Sequence, residues 1–321
     1  MSDNNQSSTG QNPPMLTPNS DGSWTRNVSY PCTLPTPDQD SDTLVLTKDV
    51  VINHVNKTSV RIHLPKQTLI TTEKLPLIIY YHPGGFVLMS ATSTLVHEFC
   101  NKLAMQLSAM VVSVDYHLAP EHRLPAAYDD GVEALHWVKS TQDPWLTKFV
   151  DFSNCYLMGS SAGASIAYHV GLRVSINDLE PLKVNALILH HLFIGGVDRT
   201  ESEIRLADAQ RVTLSKCDEM WNWSLPVDAS LDHEYCNVLV GGGPDDMGRI
   251  KDVGWRVMVT GCYGDLLIDR QMEFAKVMEK KGVKIECFYG DGYHIIELND
   301  ESKANELINT ISRFVSNVSD N

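Results

Sequence analysis

The stretch Cys155-Tyr156-Leu157-Met158-Gly159-Ser160-Ser161-Ala162-Gly163-Ala164-Ser165-Ile166-Ala167-Tyr168-His169-Val170 joins a short apolar run to an apolar helical segment through a turn of small residues. The run Cys155 to Met158 has no polar face, as expected of a strand buried on both sides. A tight strand-to-helix turn needs small residues around it. It pushes its central side chain out of the sheet and aims the free N–H groups of the new helix at a nearby anion. Ser161 is therefore a candidate nucleophile. The string Gly159-Ser160-Ser161-Ala162-Gly163 alone also fits an ordinary glycine-bounded turn, and the strand before it and the helix after it favour the catalytic reading.

Outward from this point the same rhythm repeats. Four more solid apolar runs of strand length are Leu77 to Tyr81, Met110 to Val114, Ala186 to Leu189 and Val257 to Thr260. Between them lie segments with apolar residues three or four apart: Phe99, Leu103 and Leu107; Val132, Leu135 and Val138; Phe274, Val277 and Met278. This alternation predicts an α/β fold, a mostly parallel sheet flanked by helices with its site at the carboxyl ends of the strands. Ahead of it, Lys48 to Ile52 and the alternating Ser59 to Leu64 suit an antiparallel edge. Residues 1–45 are polar with a few apolar anchors, and read as a flexible start followed by an arm packed on the body. Residues about 198–250 break the rhythm and read as an inserted helical segment beside the site, a lid over residues of a main domain spanning 46–321.

Two further segments carry chemistry. His82-Pro83-Gly84-Gly85-Phe86 follows the strand Leu77 to Tyr81, where glycines let N–H groups approach the oxyanion of a tetrahedral intermediate. A serine hydroxyl attacks an ester only if a histidine takes its proton and a carboxylate fixes that histidine's tautomer. Asp265, just past the strand Val257 to Thr260, and His294, in Gly292-Tyr293-His294, come in that order. Asp269 and Asp291 are competing carboxylates. His190 and His191 fit packed or solvent-facing histidines better than pocket residues. The aromatic and apolar residues Phe86, Met89, Phe193, Trp221 and Trp223 are candidates for walls of a small apolar pocket. No His-x-x-x-His or carboxylate cluster supports a metal and no Gly-x-Gly-x-x-Gly supports a dinucleotide, so no cofactor is expected.

The formal charge of −14 argues against nucleic acid and anionic membrane surfaces as partners. The seven cysteines are scattered, odd in number and without a Cys-x-x-Cys pair, as in a chain that keeps reduced thiols. Residues 1–14 lack a basic start and an apolar run, and no apolar stretch approaches the ~20 residues that span a bilayer. These features point to a cytoplasmic protein, a monomer or weak dimer.

Taken together, His82-Pro83-Gly84-Gly85-Phe86, the long block Asp115 to Ala127 and Gly159-Ser160-Ser161-Ala162-Gly163 resemble the plant carboxylesterases of the hormone-sensitive-lipase-like α/β-hydrolase family. The resemblance runs from about Asp21 to Phe314 and extends to gibberellin receptors and 2-hydroxyisoflavanone dehydratases. It implies an α/β-hydrolase fold and hydrolysis of a small carboxylic ester through an acyl-enzyme. It further implies Ser161 as nucleophile, Asp265 and His294 as its partners, and Gly84, Gly85 and Ala162 as oxyanion donors. Three positions depart from the family pattern. Pro83 stands where a glycine is usual, Ser160 where an aspartate is usual, and Ala164-Ser165 where Gly-Asn is usual, which suggests a narrowed substrate preference. One resembling route is hydrolysis of an alkaloid methyl ester whose acid then decarboxylates, as in norfluorocurarine formation. The receptors of this group lack the histidine and bind a small molecule without turnover; His294 is present here, and an intact triad favours hydrolysis.

Overall fold

The five apolar runs lie side by side in one sheet. In a computed structural model, which describes residues 14–209 and 211–316, the strands are β1 (Val45–Val51), β2 (Ser59–Pro65), β3 (Leu75–Tyr81), β4 (Met110–Asp115), β5 (Val150–Ser160), β6 (Val184–His190), β7 (Arg256–Cys262) and β8 (Lys284–Gly290). Their order is β8-β7-β6-β5-β3-β4-β2-β1. β1, β2 and β4 pair antiparallel and every other pair is parallel. The antiparallel edge expected from the alternating pair of runs is β1 with β2, registered Val45 to Pro65 and Val51 to Ser59. The expectation of a flexible start falls, for residues 1–13, outside the described residues.

Burial explains the composition of the runs. Leu77, Ile79, Tyr80, Tyr81, Val111, Val112, Leu157, Met158, Leu187, Leu189, Val257 and Val259 are all fully buried. Each such apolar side chain contributes roughly 1.5–3 kcal/mol over its exposed state. The two buried phenols of β3 are satisfied, Tyr80 Oη donating to Ser160 Oγ at 3.2 Å and Tyr81 Oη to the Gly131 carbonyl at 3.3 Å. β8 differs. It closes the sheet at one edge with no residue fully buried, and its sequence Lys284-Ile285-Glu286-Cys287-Phe288-Tyr289-Gly290 carries no solid apolar run.

The longer helices are α1 (Thr94–Gln106), α2 (Ala126–Ser140), α3 (Ala162–Val174), α4 (Leu214–Ser224), α5 (Ile268–Lys280) and α6 (Glu301–Ser316). Every residue of α3 except Arg173 is buried, so this helix after the glycine-bounded turn is the centre of the helical layer. It packs on β3, β5, β6 and α2, and small residues make the approach possible. A Cβ on Gly131 would sit 2.5 Å from Val170 Cγ2. Between β6 and β7 the chain leaves the sheet for residues 191–255, which include a short helix Glu201–Arg205 and α4.

At the start of the described chain, Leu16–Pro18 and Trp24–Arg26 form a small hairpin. Met15 and Leu16 are buried. Arg26 fastens this arm to the body, with Nε donating to the Val87 carbonyl at 2.8 Å, Nη2 to the Ala119 carbonyl at 3.0 Å, and both terminal nitrogens to the Glu121 carboxylate at 2.8 Å.

The buried histidines set an acid limit on this fold. Burial pushes His63 and His169 down to about 3 and His191 to about 4, so all three fold as neutral rings. Below about pH 6.5 the unfolded chain binds protons that the folded chain refuses, and stability falls with pH through that window. Burial alone would raise the Glu297 carboxyl, but His190 beside it holds it down to about 2, so its contribution is also lost as pH drops below about 4.5. His294, held above its ordinary value, works in the opposite sense but is one group against three above pH 5. The melting temperature is expected to fall by roughly 10 °C or more between pH 7 and pH 5. Differential scanning fluorimetry across that range checks it, and a flat profile would contradict this account.

Candidate active site

Ser161 stands where β5 gives way to α3, with φ 55° and ψ −123°, a backbone conformation that side-chain-bearing residues rarely adopt. The surroundings hold it there. Ser161 N donates to the His190 carbonyl at 2.9 Å, and the Ser161 carbonyl accepts from Ala164 N at 2.9 Å. The flanking glycines are sterically required, because a Cβ on Gly159 would meet the Gly163 carbonyl at 2.1 Å and a Cβ on Gly163 would meet the Tyr81 carbonyl at 1.9 Å. The strain lifts the hydroxyl off the sheet toward the loop after β8.

That loop delivers His294. Its Nε2 lies 2.8 Å from Ser161 Oγ, and its Nδ1–H donates to Asp265 Oδ2 at 2.8 Å. Asp265 occupies the turn after β7, its side chain sealed from solvent. The two loops meet closely, a Cβ on Gly264 falling 2.3 Å from the Gly292 carbonyl. Burial penalises the Asp265 charge, but His294, His191 and their hydrogen bonds outweigh it and hold the carboxyl well below the usual range. Burial likewise opposes a charged His294, and the Asp265 carboxylate overrides it, so the imidazole is a stronger base than usual. Asp269 and Asp291 take no part. Asp269 Oδ2 accepts from Ser202 N at 2.7 Å, and Asp291 is exposed.

Opposite His294, the turn after β3 brings Gly84 (φ 128°) and Gly85 (φ 61°) to Ser161, in left-handed backbone that favours glycine. Space requires it too, since a Cβ on Gly84 would meet the Leu88 carbonyl at 2.1 Å and one on Gly85 would meet Met220 Sδ at 2.1 Å. The turn is locked by Leu88 N donating to the Gly84 carbonyl at 2.9 Å. It is also locked by buried His82, which donates to the Pro83 carbonyl at 2.8 Å and stacks on Tyr116 at 4.1 Å. Among the described residues the N–H groups of Gly84, Gly85 and Ala162 have no protein acceptor. Pro83 sits before these donors and removes none of them.

Ser161, His294, Gly84 and Gly85 line one cavity of about 200 Å³. Met89 and Phe193 line it as expected, but Phe86, Trp221 and Trp223 do not. Phe193 stacks on Trp221 at 4.8 Å with planes 4° apart, and Phe86 lies 5.3 Å from the same indole, so these rings support the wall from behind. The apolar lining comes instead from Leu88, Leu95, Val212, Met220, Ile295 and Leu298, with Met15, Val28 and Tyr30 added by the arm. A larger cleft of about 390 Å³, against β7, β8 and α6, holds none of the Ser161, Asp265 and His294 side chains.

His191 was not legible as part of the site. It is fully buried, as a packed histidine should be, but its Nδ1–H donates to Asp265 Oδ2 at 2.7 Å, the oxygen that also serves His294. Gln271 Nε2 adds a third donor at 3.1 Å, and Leu267 N donates to Oδ1 at 3.0 Å. His191, Asp265 and His294 are donor types found in metal centres, as are His190, His191 and Glu297, but the atoms around Asp265 are turned on one another.

Comparison with known proteins identifies the family. Residues 78–295 match the family model described as alpha/beta hydrolase fold. The chain is 46% identical over 308 residues to Carboxylesterase 20 of Arabidopsis thaliana, covering 94% of each. It is 45% identical to the 3-O-acetylpapaveroxine carboxylesterase CXE2 of Papaver somniferum, covering 84% of this chain and 90% of that one. Among solved structures, a hyperthermophilic esterase from Pyrobaculum calidifontis superposes with a TM-score of 0.71 at 22% identity, over 85% of this chain and 86% of that one.

Proposed function

This chain belongs to the alpha/beta hydrolase family and is a serine carboxylesterase, and from that premise we propose that Ser161, Asp265 and His294 are its catalytic triad and Gly84, Gly85 and Ala162 its oxyanion donors. The observation that carries the assignment is the unbroken hydrogen-bond line from Ser161 Oγ through His294 to Asp265 Oδ2. His294 Nε2 takes the hydroxyl proton as Ser161 attacks the ester carbonyl. The N–H groups of Gly84, Gly85 and Ala162 receive the oxyanion. His294 then gives its proton to the leaving alcohol, and water repeats the sequence on the acyl-enzyme.

The substrate we propose is a small ester from plant specialised metabolism, with an acetyl or similarly short acyl group on an alkaloid-like alcohol. Two observations support it: the apolar cavity is only about 200 Å³, and the Papaver relative's name describes an acetylated alkaloid as its substrate. We place the enzyme in the cytoplasm as a monomer or weak dimer, with the segment about 198–250 as its lid. All seven cysteines are free thiols, in keeping with a reducing compartment. No described helix is long and apolar enough to cross a membrane.

Stoichiometric inactivation by diethyl p-nitrophenyl phosphate tests the assignment. The expected result is one equivalent of p-nitrophenol released per chain, a single diethylphosphoryl adduct on the peptide carrying Ser161, and loss of p-nitrophenyl acetate hydrolysis in step with labelling. An adduct on any other residue, with esterase activity lost, would overturn it.

A further inference from the structure

Asp265 Oδ2 accepts two imidazole N–H groups, and only one of them belongs to the histidine that touches Ser161. Resting on the triad assignment above, we propose that His191 is a positioning residue of the esterase, whose Nδ1–H holds Asp265 in place and moderates how strongly that carboxylate draws a proton onto His294.

The placement of His191 is built into the backbone. Its φ of 50° is left-handed, and its N–H donates to the Thr260 carbonyl of β7 at 2.8 Å. One residue earlier, the His190 carbonyl accepts from Ser161 N. The dipeptide His190-His191 therefore ties the strained nucleophile turn to the acid loop, and the ring of His191 completes that tie at the carboxylate.

The tautomer follows from the neighbours. An ionised carboxylate only accepts, so the proton of a neutral His191 ring sits on Nδ1. Nε2 then faces Cys262 Sγ at 3.8 Å, and burial pushes that thiol up to about 12, so the sulfur keeps its proton. The charged and titratable groups around the ring are Asp265, His294, His190, Cys262 and, beyond His190, Glu297, with Cys217 on the far side of Asp265. Burial, His190 and His294 together outweigh Asp265 and keep His191 neutral above about pH 4. A neutral donor disperses part of the Asp265 charge without adding a second cation. Deleting it concentrates the charge, raises the basicity of His294 and frees the carboxylate to turn.

The test compares His191→Leu, which keeps the bulk and loses the donor, with His191→Asn, whose amide nitrogen reaches the place of Nδ1 and whose backbone tolerates a left-handed φ. In pH profiles of p-nitrophenyl acetate hydrolysis, His191→Leu is expected to move the acid limb of kcat/KM up by about 0.5–1 pH unit and to lower kcat about tenfold with KM little changed. His191→Asn should return the limb to within about 0.3 unit of wild type. Superposable profiles for Leu and wild type, in an active enzyme, would overturn the role of His191 alone. A wild type no faster than Ser161→Ala on any ester would overturn the triad reading beneath it. Should His191→Leu fail to fold, ¹⁵N-edited proton NMR of wild type at neutral pH decides. Two of its slowly exchanging downfield ring N–H signals, those of His191 and His294, are expected to shift or vanish in Asp265→Asn while those of other buried rings such as His82 stay, and the loss of a single one rules the proposal out.

Discussion

Replacing Ser161 by alanine is expected to cut kcat/KM for p-nitrophenyl acetate by a factor on the order of 10⁴ or more. On the proposed assignment, alanine removes the atom that would form the bond to the acyl carbon and leaves the rest of the site standing. The turn does not depend on the hydroxyl, because its shape is fixed by backbone bonds from Ser161 N to the His190 carbonyl and from Ala164 N to the Ser161 carbonyl. Alanine accepts the same strained φ at no greater cost than serine. The variant should fold with a melting temperature near that of wild type, so that lost turnover reports chemistry. Residual catalysis by water in the oxyanion site, assisted by His294, sets the floor. A reduction of less than about tenfold would exclude a Ser161 acyl-enzyme.

The largest effect on stability is expected at Glu203. Its carboxylate is buried against Arg270, with Nε donating to Oε1 at 2.6 Å and Nη2 to Oε2 at 2.9 Å. Arg270 also donates to the carbonyls of Gly195 and Asp198, so one guanidinium from α5 gathers the whole start of the 191–255 segment. Glu203→Ala leaves a buried cation without its counter-charge, at a cost of about 3–5 kcal/mol. It also breaks the reciprocal cap with Thr200 that begins the short helix. The melting temperature should drop by on the order of 10 °C. The double variant Glu203→Ala/Arg270→Met should recover part of this, because the stranded charge has gone. The effect reaches the site, since Ser202 Oγ donates to the Leu266 carbonyl at 2.7 Å in the Asp265 loop. Calorimetry on the single and double variants separates the two contributions, and a single variant as stable as wild type would show that the pair is not needed.

The legible parts of the chain were those where one local signal sufficed. Five apolar runs are interior strands because burial on both faces leaves no alternative composition, and the turn Gly159 to Gly163 is written in residues that only close packing requires. β8 was missed for the opposite reason. As an edge strand it is half exposed, so Lys284, Glu286 and Phe288 blur its pattern. His191 carried no local sign of its partner, since Asp265 lies 74 residues away and only the pairing of β6 with β7 brings them together. Of the aromatic rings expected at the cavity only Phe193 lines it, while Phe86 and Trp221 pack behind it, because large rings gain from stacking on one another. Met15, Val28 and Tyr30 reach the cavity from a segment whose composition suggests an arm packed on the body, with no sign of what it packs against.

The outer wall of the cavity comes from the arm, through Met15, Val28 and Tyr30, whereas the inner wall is built from the turns that carry Gly84, Ser161 and His294 and from α4. Changes of length or side chain in the arm reshape the entrance while leaving the strained turn and the two histidines around Asp265 untouched. Substrate range and catalytic power are thus heritable almost separately. A lineage carrying this architecture can try new esters by varying the arm residues that reach the cavity, Met15, Val28 and Tyr30, without touching the central sheet.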